Sequence, residues 1–428
     1  MYGWIGKILR VDLSGGNCFV EDMATDLARD FIGGRGLAEK ILFDEVNPQI
    51  DPLSPENKLV FATGPLTGTG APAGGRFIVV SKSPLTGAIA NPCSGGYFGA
   101  RLKFAGYDLL IIEGKSPAPV YLSVKDDTVE IKPANHLWGK STSQVESLIR
   151  SEIESDHDVW EAKEASVACI GPAGENLVRF ACIMCDGGRA VGRSGLGAIM
   201  GSKNLKAVVV SGTKEVTIAD IDGFKGAVMD FLKEAEENGE LEKRSMWGTW
   251  RLPGEANKQG MQATLNFQAG YFEGFTQYEN PAFIRDRIRV RDEACFGCPF
   301  RCGKRTSIPG QPGTVKGPEH ETMALLGSNC GISDLNDICR ANYLCNELGM
   351  DTITTGATIS CVMELSERGY LPEKDIGYPV NFGNTEAMLK LITETAWRQG
   401  FGDGLAEGGY SMAERYGHPE LIMGVKRQ

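Results

Sequence analysis

The chain has 428 residues, 42% apolar and 23% charged, enough to bury a core and to divide into two or three domains of roughly 150 residues. It carries no run of about 18 apolar residues, which excludes a membrane-spanning helix, and Met1 to Lys7 lack the basic start and apolar core of a secretory signal. A formal charge of −11 disfavours a sequence-independent grip on nucleic acid, and 12 cysteines without a leader point to a reducing, cytoplasmic setting with thiols as core residues or ligands.

Taken in chain order, Lys7–Leu13 alternates apolar and polar residues and predicts a half-buried strand. Further strands are predicted at Lys58–Phe61, Arg76–Val80, Leu109–Ile112, Val120–Val124 and Ala207–Val210, with helices near Leu37–Val46 and Thr142–Ile153. Beyond Lys214 the period becomes helical. Phe224, Val228, Phe231, Leu232 and Ala235 share one face, as do Leu335, Ile338, Ala341, Cys345 and Leu348. A last helix is predicted over Leu405–Tyr416, and Gly239–Gly317 between the first two reads as irregular. The fold class is therefore α+β: a β-sheet domain over 1–214, then a mainly helical domain over 215–428 that carries a cysteine cluster.

Glycine, at 55 residues, gathers in short blocks: Gly74-Gly75-Arg76, Ser94-Gly95-Gly96-Tyr97-Phe98-Gly99, and Gly187-Gly188-Arg189 running through Gly192-Arg193 to Gly197. Glycine lets backbone N–H groups approach a ligand. The second and third blocks lead into predicted helices whose N-termini favour an anion, and Arg76, Arg189 and Arg193 offer phosphate forks. The blocks thus predict a large phosphorylated cofactor; the competing reading is ordinary turn and bulge glycine in a twisted sheet. No dinucleotide fingerprint or Walker loop occurs in proper context.

Cys295, Cys298 and Cys302 form Cys-x-x-Cys-x-x-x-Cys, with Gly297 and Pro299 inside the loop. Three thiolates so spaced suit one face of a [4Fe–4S] cubane with a fourth ligand from elsewhere. Structural zinc and three buried, unligated cysteines are the alternatives. Cys182-Ile183-Met184-Cys185 has the same pair spacing but lies in an apolar, strand-like run that favours the core.

Long strings in the chain resemble the tungsten-dependent aldehyde:ferredoxin oxidoreductase family: Leu53-Ser54-Pro55-Glu56-Asn57-Lys58-Leu59, Thr63-Gly64-Pro65-Leu66-Thr67-Gly68-Thr69, Lys103-Phe104-Ala105-Gly106-Tyr107-Asp108, Gly171-Pro172-Ala173-Gly174-Glu175-Asn176 and Met200-Gly201-Ser202-Lys203-Asn204-Leu205-Lys206. The resemblance implies a β domain carrying a tungsten (or molybdenum) bis-pterin, its metal held by dithiolene sulfurs, with Mg2+ bridging the pterin phosphates and a [4Fe–4S] cluster passing electrons to a ferredoxin-like acceptor. The implied reaction oxidises an aldehyde to a carboxylic acid. Cys295, Cys298 and Cys302 match cluster ligands, Arg76 the arginine between cluster and pterin, and Ala190, after Arg189, a carbonyl ligand of the magnesium. Glu321 matches an active-site glutamate, whose role requires partial desolvation. Asp351, closing Asn346-Glu347-Leu348-Gly349-Met350-Asp351, matches a pterin-ring ligand.

The chain departs from the family pattern in four places. Asn346 stands for an aspartate, and Cys93 for an asparagine whose carbonyl reaches the magnesium. Arg340-Ala341-Asn342-Tyr343 replaces a Glu-x-x-His motif, implying that any homodimer lacks an interface iron. The chain also ends where a second helical domain would begin. The helix Asp334–Leu348 is therefore expected to leave an apolar face open, and a complementary C-terminal chain to supply the fourth cysteine. A non-catalytic fragment, one part of a split enzyme and a zinc-stabilised binding module are the alternative functions.

Overall fold

The computed structural model describes residues 1–156, 159–311 and 313–428, which fall into two compact units. Unit 1 comprises Met1–Leu177, Ala181–Leu241 and Ala294–Phe300; unit 2 comprises Val178–Phe180, Glu242–Glu293 and Arg301–Gln428.

Unit 1 is built on two sheets. The first contains β1 (Lys7–Asp12), β2 (Asn17–Asp22), β3 (Leu59–Thr63), β4 (Phe77–Lys82), β5 (Ile89–Ala90), β6 (Cys93–Ser94) and β7 (Leu109–Glu113), in the order β2-β1-β7-β3-β4-β5 with β6 also paired to β4. The second contains β8 (Val120–Lys125), β9 (Thr128–Pro133), β10 (Ser166–Cys169), β11 (Ile183–Cys185), β12 (Arg189–Val191) and β13 (Leu205–Ser211), in the order β12-β11-β10-β13-β8-β9. Among the described residues of these sheets, only β1 with β7 and β8 with β13 run parallel.

The period of two sorts the side chains into three cores. Leu59 and Phe61 face inward with Leu110, Ile112, Leu122, Val208 and Val210, around the helices Phe98–Ala105 and Leu196–Ser202. Val60, Ala62, Leu109 and Ile111 face the other way, against Leu37, Ile41 and Leu42 of the helix Gly34–Glu45. On the second sheet Val167, Ala207 and Val209 pack on Val145 and Ile149 of the helix Thr142–Asp156. Strands buried on both faces explain why these runs are apolar throughout rather than alternating.

Fully buried lysines tie the loops of unit 1 together. Lys203, just after the helix Leu196–Ser202, donates to the carbonyls of Asn57 (2.5 Å), Gly114 (3.0 Å) and Pro55 (3.1 Å). Lys103 donates to Asp108 (2.6 Å) and to the Gly3 carbonyl (2.7 Å), while Asp108 also accepts from the N–H groups of Ile5 and Gly6. Lys206 pairs with Glu175 and reaches the Lys140 carbonyl.

Unit 2 is centred on the helix Thr352–Glu367, buried along most of its length and packed against His320–Leu326 and Gly409–Arg415. The helix Leu335–Leu348 buries Leu335, Ile338, Cys339, Ala341, Cys345 and Leu348, with Thr385–Trp397 lying against it. The apolar face expected to stay open is thus covered within this unit. A three-stranded sheet, β14 (Arg289–Glu293), β15 (Gly303–Thr306) and β16 (Val315–Lys316), completes it.

Two expectations about elements change. Gly239–Gly317, read as irregular, holds the helices Glu240–Trp247, Leu252–Lys258 and Ala282–Ile288 as well as β14 to β16; elements of two turns or fewer are too short to set up a visible period. The helix read over Leu405–Tyr416 breaks into Gly402–Leu405 and Gly409–Arg415, because Gly408 turns at φ 99°. The helix Ile221–Glu237 groups with unit 1 rather than with the chain that follows it, and its Phe231 meets Phe300 edge to face at 6.2 Å.

Candidate functional site

In unit 1 the cysteine loop is seated on two of the glycine blocks. The Phe296 N–H donates to the Gly96 carbonyl at 3.0 Å, and the Cys298 N–H to the Cys295 carbonyl at 3.1 Å. The Phe296 ring stands edge-on to Phe104 (5.5 Å) and Tyr97 (6.3 Å). The approach is close enough to demand glycine. A Cβ on Gly95 would lie 2.5 Å from Cys295 Sγ, and one on Gly75 2.7 Å from the Phe296 carbonyl oxygen. Glycine read from sequence as room for a cofactor therefore serves, at these two positions, as room for the cysteine loop.

The same corner gathers the other residues of unit 1 that the sequence singled out. Arg76 precedes β4, whose first residues pair with β6 (Phe77 opposite Ser94, Ile78 opposite Cys93). Arg76 Nη2 donates to Cys93 Sγ at 2.8 Å, so the Cys93 thiol is engaged by the arginine. Arg189 and Ala190 lie on β12, opposite Cys185 and Met184 of β11, and β12, which leads into Gly192, packs beside β6. Cys182 and Cys185 are buried, and burial pushes the Cys185 thiol well above its ordinary range, which suits a core residue rather than a thiolate ligand.

One helix N-terminus expected to meet a cofactor anion is already served. Asp186 accepts from the N–H groups of Tyr97 (2.6 Å) and Phe98 (3.2 Å), at the start of the helix Phe98–Ala105. Ser166 donates to its other oxygen. Burial raises the Asp186 carboxyl, and the hydrogen bonds from Ser166, Tyr97 and Phe98 oppose the rise without cancelling it. The expectation of an exogenous anion there gives way to an internal carboxylate 89 residues away in sequence.

The remaining corner fits a phosphorylated guest. Arg76 is exposed and has no carboxylate within ion-pair reach among the described residues. Ser94 Oγ is buried with no hydrogen-bond partner among them. A guanidinium without an ion pair among the described residues and an orphaned hydroxyl, beside closely approached glycines, form a site with donors to spare.

Unit 2 carries the other candidates. Gly349 ends the helix Leu335–Leu348 at φ 76°, so that Asn346 lies in its last turn and Asp351 starts the next helix. Asp351 is buried and accepts from Ile353 N–H (3.2 Å), Thr354 N–H (3.0 Å) and Thr354 Oγ1 (2.5 Å). Glu321 sits in the first turn of the helix His320–Leu326 and is exposed; the desolvation expected of it is absent within this unit. Desolvation falls instead on His320, whose imidazole is pushed toward the neutral form by burial against the opposing pull of Glu321. His320 Nδ1 is buried without a partner among the described residues, a feature that its position beside Glu321 in sequence could not disclose.

Cys302 is exposed on unit 2, next to Arg301. No three His, Cys, Asp or Glu side chains among the described residues converge on a point where they could hold a single metal ion. Arg340 pairs with Asp337 (3.2 Å) and Glu386 (3.5 Å). No helix among the described residues is long and apolar enough to cross a membrane.

Residues 8–212 match the N-terminal domain of aldehyde ferredoxin oxidoreductases, and residues 227–428 match domains 2 and 3 of the same proteins. The chain is 47% identical over 433 aligned residues to the tungsten-containing aldehyde ferredoxin oxidoreductase of Pyrococcus furiosus, an alignment covering all of this chain and 70% of that protein. It is 34% identical to the WOR-like subunit of an aliphatic sulfonate oxidoreductase from the same organism, over 96% of this chain and 67% of the other. Among solved structures, the active-site complex BamBC of benzoyl coenzyme A reductase with 1,5-dienoyl-CoA superposes with a TM-score of 0.88 at 32% identity, covering all of this chain and 66% of that one. The chain belongs to the aldehyde ferredoxin oxidoreductase family of tungsten-containing oxidoreductases.

Proposed function

We propose that the protein oxidises an aldehyde with water to a carboxylic acid and passes two electrons to a ferredoxin-like acceptor. The balance is RCHO + H2O → RCOOH + 2 e− + 2 H+. When bound, a tungsten or molybdenum bis-pterin supplies the two-electron centre and a [4Fe–4S] cluster the one-electron relay. Cys295, Cys298 and Cys302 are the cluster thiolates on this chain, and the backbone seat of Phe296 on Gly96 fixes the first two in orientation. Arg76, exposed and without an ion pair among the described residues, would meet the anionic side of the pterin, and Ser94 Oγ would supply a hydrogen bond that no described residue takes up. Gly95, Gly96, Arg189, Gly192 and the Ala190 carbonyl border the same corner, where Mg2+ would bridge phosphates; Cys93 contributes a thiol held by Arg76 in place of a carboxamide. Asp351 would accept from a pterin-ring donor, and Asn346 and Gly349 shape the turn before it. Glu321 would take the proton released as water adds to the carbonyl, its desolvation supplied by bound cofactor and substrate rather than by this unit.

The observation that carries this reading is the cysteine loop docked by its backbone on Gly75 and Gly96, next to Arg76, whose guanidinium has no ion pair among the described residues. The test is metal content and EPR on the anaerobically purified chain and on Cys298→Ser. Wild-type protein should contain iron, tungsten or molybdenum and a brown chromophore, and should reduce benzyl viologen with simple aldehydes, alone or after addition of a C-terminal segment. Cys298→Ser should lose the chromophore and the low-temperature signal. Zinc in place of iron, or unchanged iron in Cys298→Ser, would refute the assignment.

A further inference from the structure

The cysteine loop is the connection of a β-hairpin in which β14 and β15 pair antiparallel, Glu293 opposite Gly303. β14 forms one edge of its sheet, β15 lying on its other side. On this edge and the helical turn before it, Arg287, Arg289, Val290 and Arg291 are exposed, and Arg301 is exposed where the chain leaves the loop beside exposed Cys302. Residues 285–305 carry seven cationic and three anionic side chains in a molecule of net charge −11. Arg289 is forked onto Asp292, at 2.8 Å for both bonds. Arg287, Arg291 and Arg301 form no ion pair among the described residues, and Arg287 lies over the Phe283 ring at 3.3 Å. From Arg291 to Cys295 is four residues, at most about 14 Å of extended chain.

From this juxtaposition we infer that the arginines flanking the cysteine loop, Arg287 and Arg291 before it and Arg301 after it, form the docking surface for a small acidic electron-carrier protein. The inference rests on the function proposed above and assigns its partner a place. A negatively charged carrier is repelled by most of an acidic molecule and attracted by a basic island, so it is steered to the strand that leads into the cysteine loop. Charged residues on an edge strand also prevent edge-to-edge aggregation. That role is indifferent to sign, since glutamate guards an edge as arginine does, and docking is not.

The test therefore reverses the sign. Binding of an acidic [4Fe–4S] ferredoxin to the full 428-residue chain is measured by calorimetry at 50 and 300 mM NaCl, for wild type, R287E/R291E, R291K and K225E, a charge reversal on the exposed helix Ile221–Glu237. Wild type should weaken about tenfold or more between the two salt concentrations. At 50 mM NaCl, R287E/R291E should lose about tenfold or more in affinity, while R291K and K225E stay near wild type. Circular dichroism and thermal melting confirm that the variants fold. Undetectable binding by wild type, equal binding by R287E/R291E, or tighter binding of a single-stranded DNA oligonucleotide than of ferredoxin would overturn the inference. Aldehyde-dependent reduction of benzyl viologen separates the two claims. If it persists while R287E/R291E binds normally, the surface falls and the function stands; if it is absent while R287E/R291E loses binding, the reverse holds.

Discussion

Replacing Lys203 with methionine tests the most unusual polar arrangement in unit 1. The ammonium is fully buried and has three backbone carbonyls, at 2.5 to 3.1 Å, as its hydrogen-bond partners. They join the loop before β3, the turn after β7 and the end of the helix that follows the third glycine block. Burial lowers the Lys203 pKa from an ordinary 10.5 to about 7. The folded value lies below the unfolded one, so between these pH values the unfolded chain keeps a proton that the folded chain has released. The stability contributed by this group is therefore complete above the unfolded pKa and is lost as pH falls toward 7. The ceiling on this swing is about 5 kcal/mol, and charge–dipole attraction to the three carbonyls reduces it to about 1–3 kcal/mol. At pH 6 methionine relieves the burial of a charge but strands the carbonyls, and Lys203→Met should cost about 2–4 kcal/mol. At pH 9 the gap should be wider by part of the swing, the rest following as pH rises to 10.5. Urea unfolding at both pH values, read by hydrogen exchange in β3 and β7 peptides, follows unit 1 separately. Equal stability at pH 6, or a gap that does not grow with pH, would refute the reasoning.

Three further substitutions probe other links. Gly95→Ala, whose Cβ would stand 2.5 Å from Cys295 Sγ, should lower iron content by more than half while far-UV circular dichroism stays unchanged; full iron occupancy would contradict the seat described for the loop. Burial acts to raise the Glu45 carboxyl, but hydrogen bonds from Arg10 and Lys58 outweigh it and hold the pKa at about 2. Its contribution is thus complete above its ordinary 4.5 and is lost as pH falls through about 2, so Glu45→Gln should cost about 1–2 kcal/mol at pH 7 and progressively less in acid; a deficit independent of pH would count against it. Asn266 is buried, donates to Glu364 (2.6 Å) and the Leu421 carbonyl (2.7 Å), and lies within three consecutive residues at φ 48° to 63°. Asn266→Ala should destabilise unit 2 by about 3 kcal/mol and open the Leu265–Phe267 turn to proteolysis, and an unchanged melting temperature would rule that out.

The sequence disclosed what short-range periodicity can carry. The alternation in β1 and the apolar runs of β3, β4, β7, β8 and β13 locate both sheets, and the spacing of Leu335, Ile338, Ala341, Cys345 and Leu348 locates a helix. Long-range polar pairing left no such trace. Nothing local in Asp186 announces that it satisfies N–H groups at Tyr97 and Phe98, and lysine reads as a surface residue although Lys103, Lys203 and Lys206 are fully buried. The strings that carry the family resemblance contain those lysines: Lys103 and Asp108 bracket one, and Lys203 and Lys206 fall within another. For the candidate site, the residue types were legible and their grouping was not. Arg76, Cys93, Gly95 and the Cys295–Cys298 loop meet because β4 pairs β6 and the loop returns to them from some 200 residues later.

That return bears on how the cysteine loop is held. In unit 1 the contacts that seat it belong to its backbone and to Phe296: an N–H to the Gly96 carbonyl, a carbonyl pressed on Gly75, and a ring between Phe104 and Tyr97. The thiols take little part, so the position of Cys295 and Cys298 does not require that a metal draw them together. In a zinc finger the metal supplies the folding energy, and losing a ligand unfolds the domain. Here loss of a ligand and loss of the fold are separable, because Cys298→Ser removes a thiolate while leaving the Phe296 anchor in place. Iron loss in that variant therefore reports on ligation and not on collapse of the loop, whereas Phe296→Ala, which keeps every cysteine, should weaken iron retention by freeing the loop.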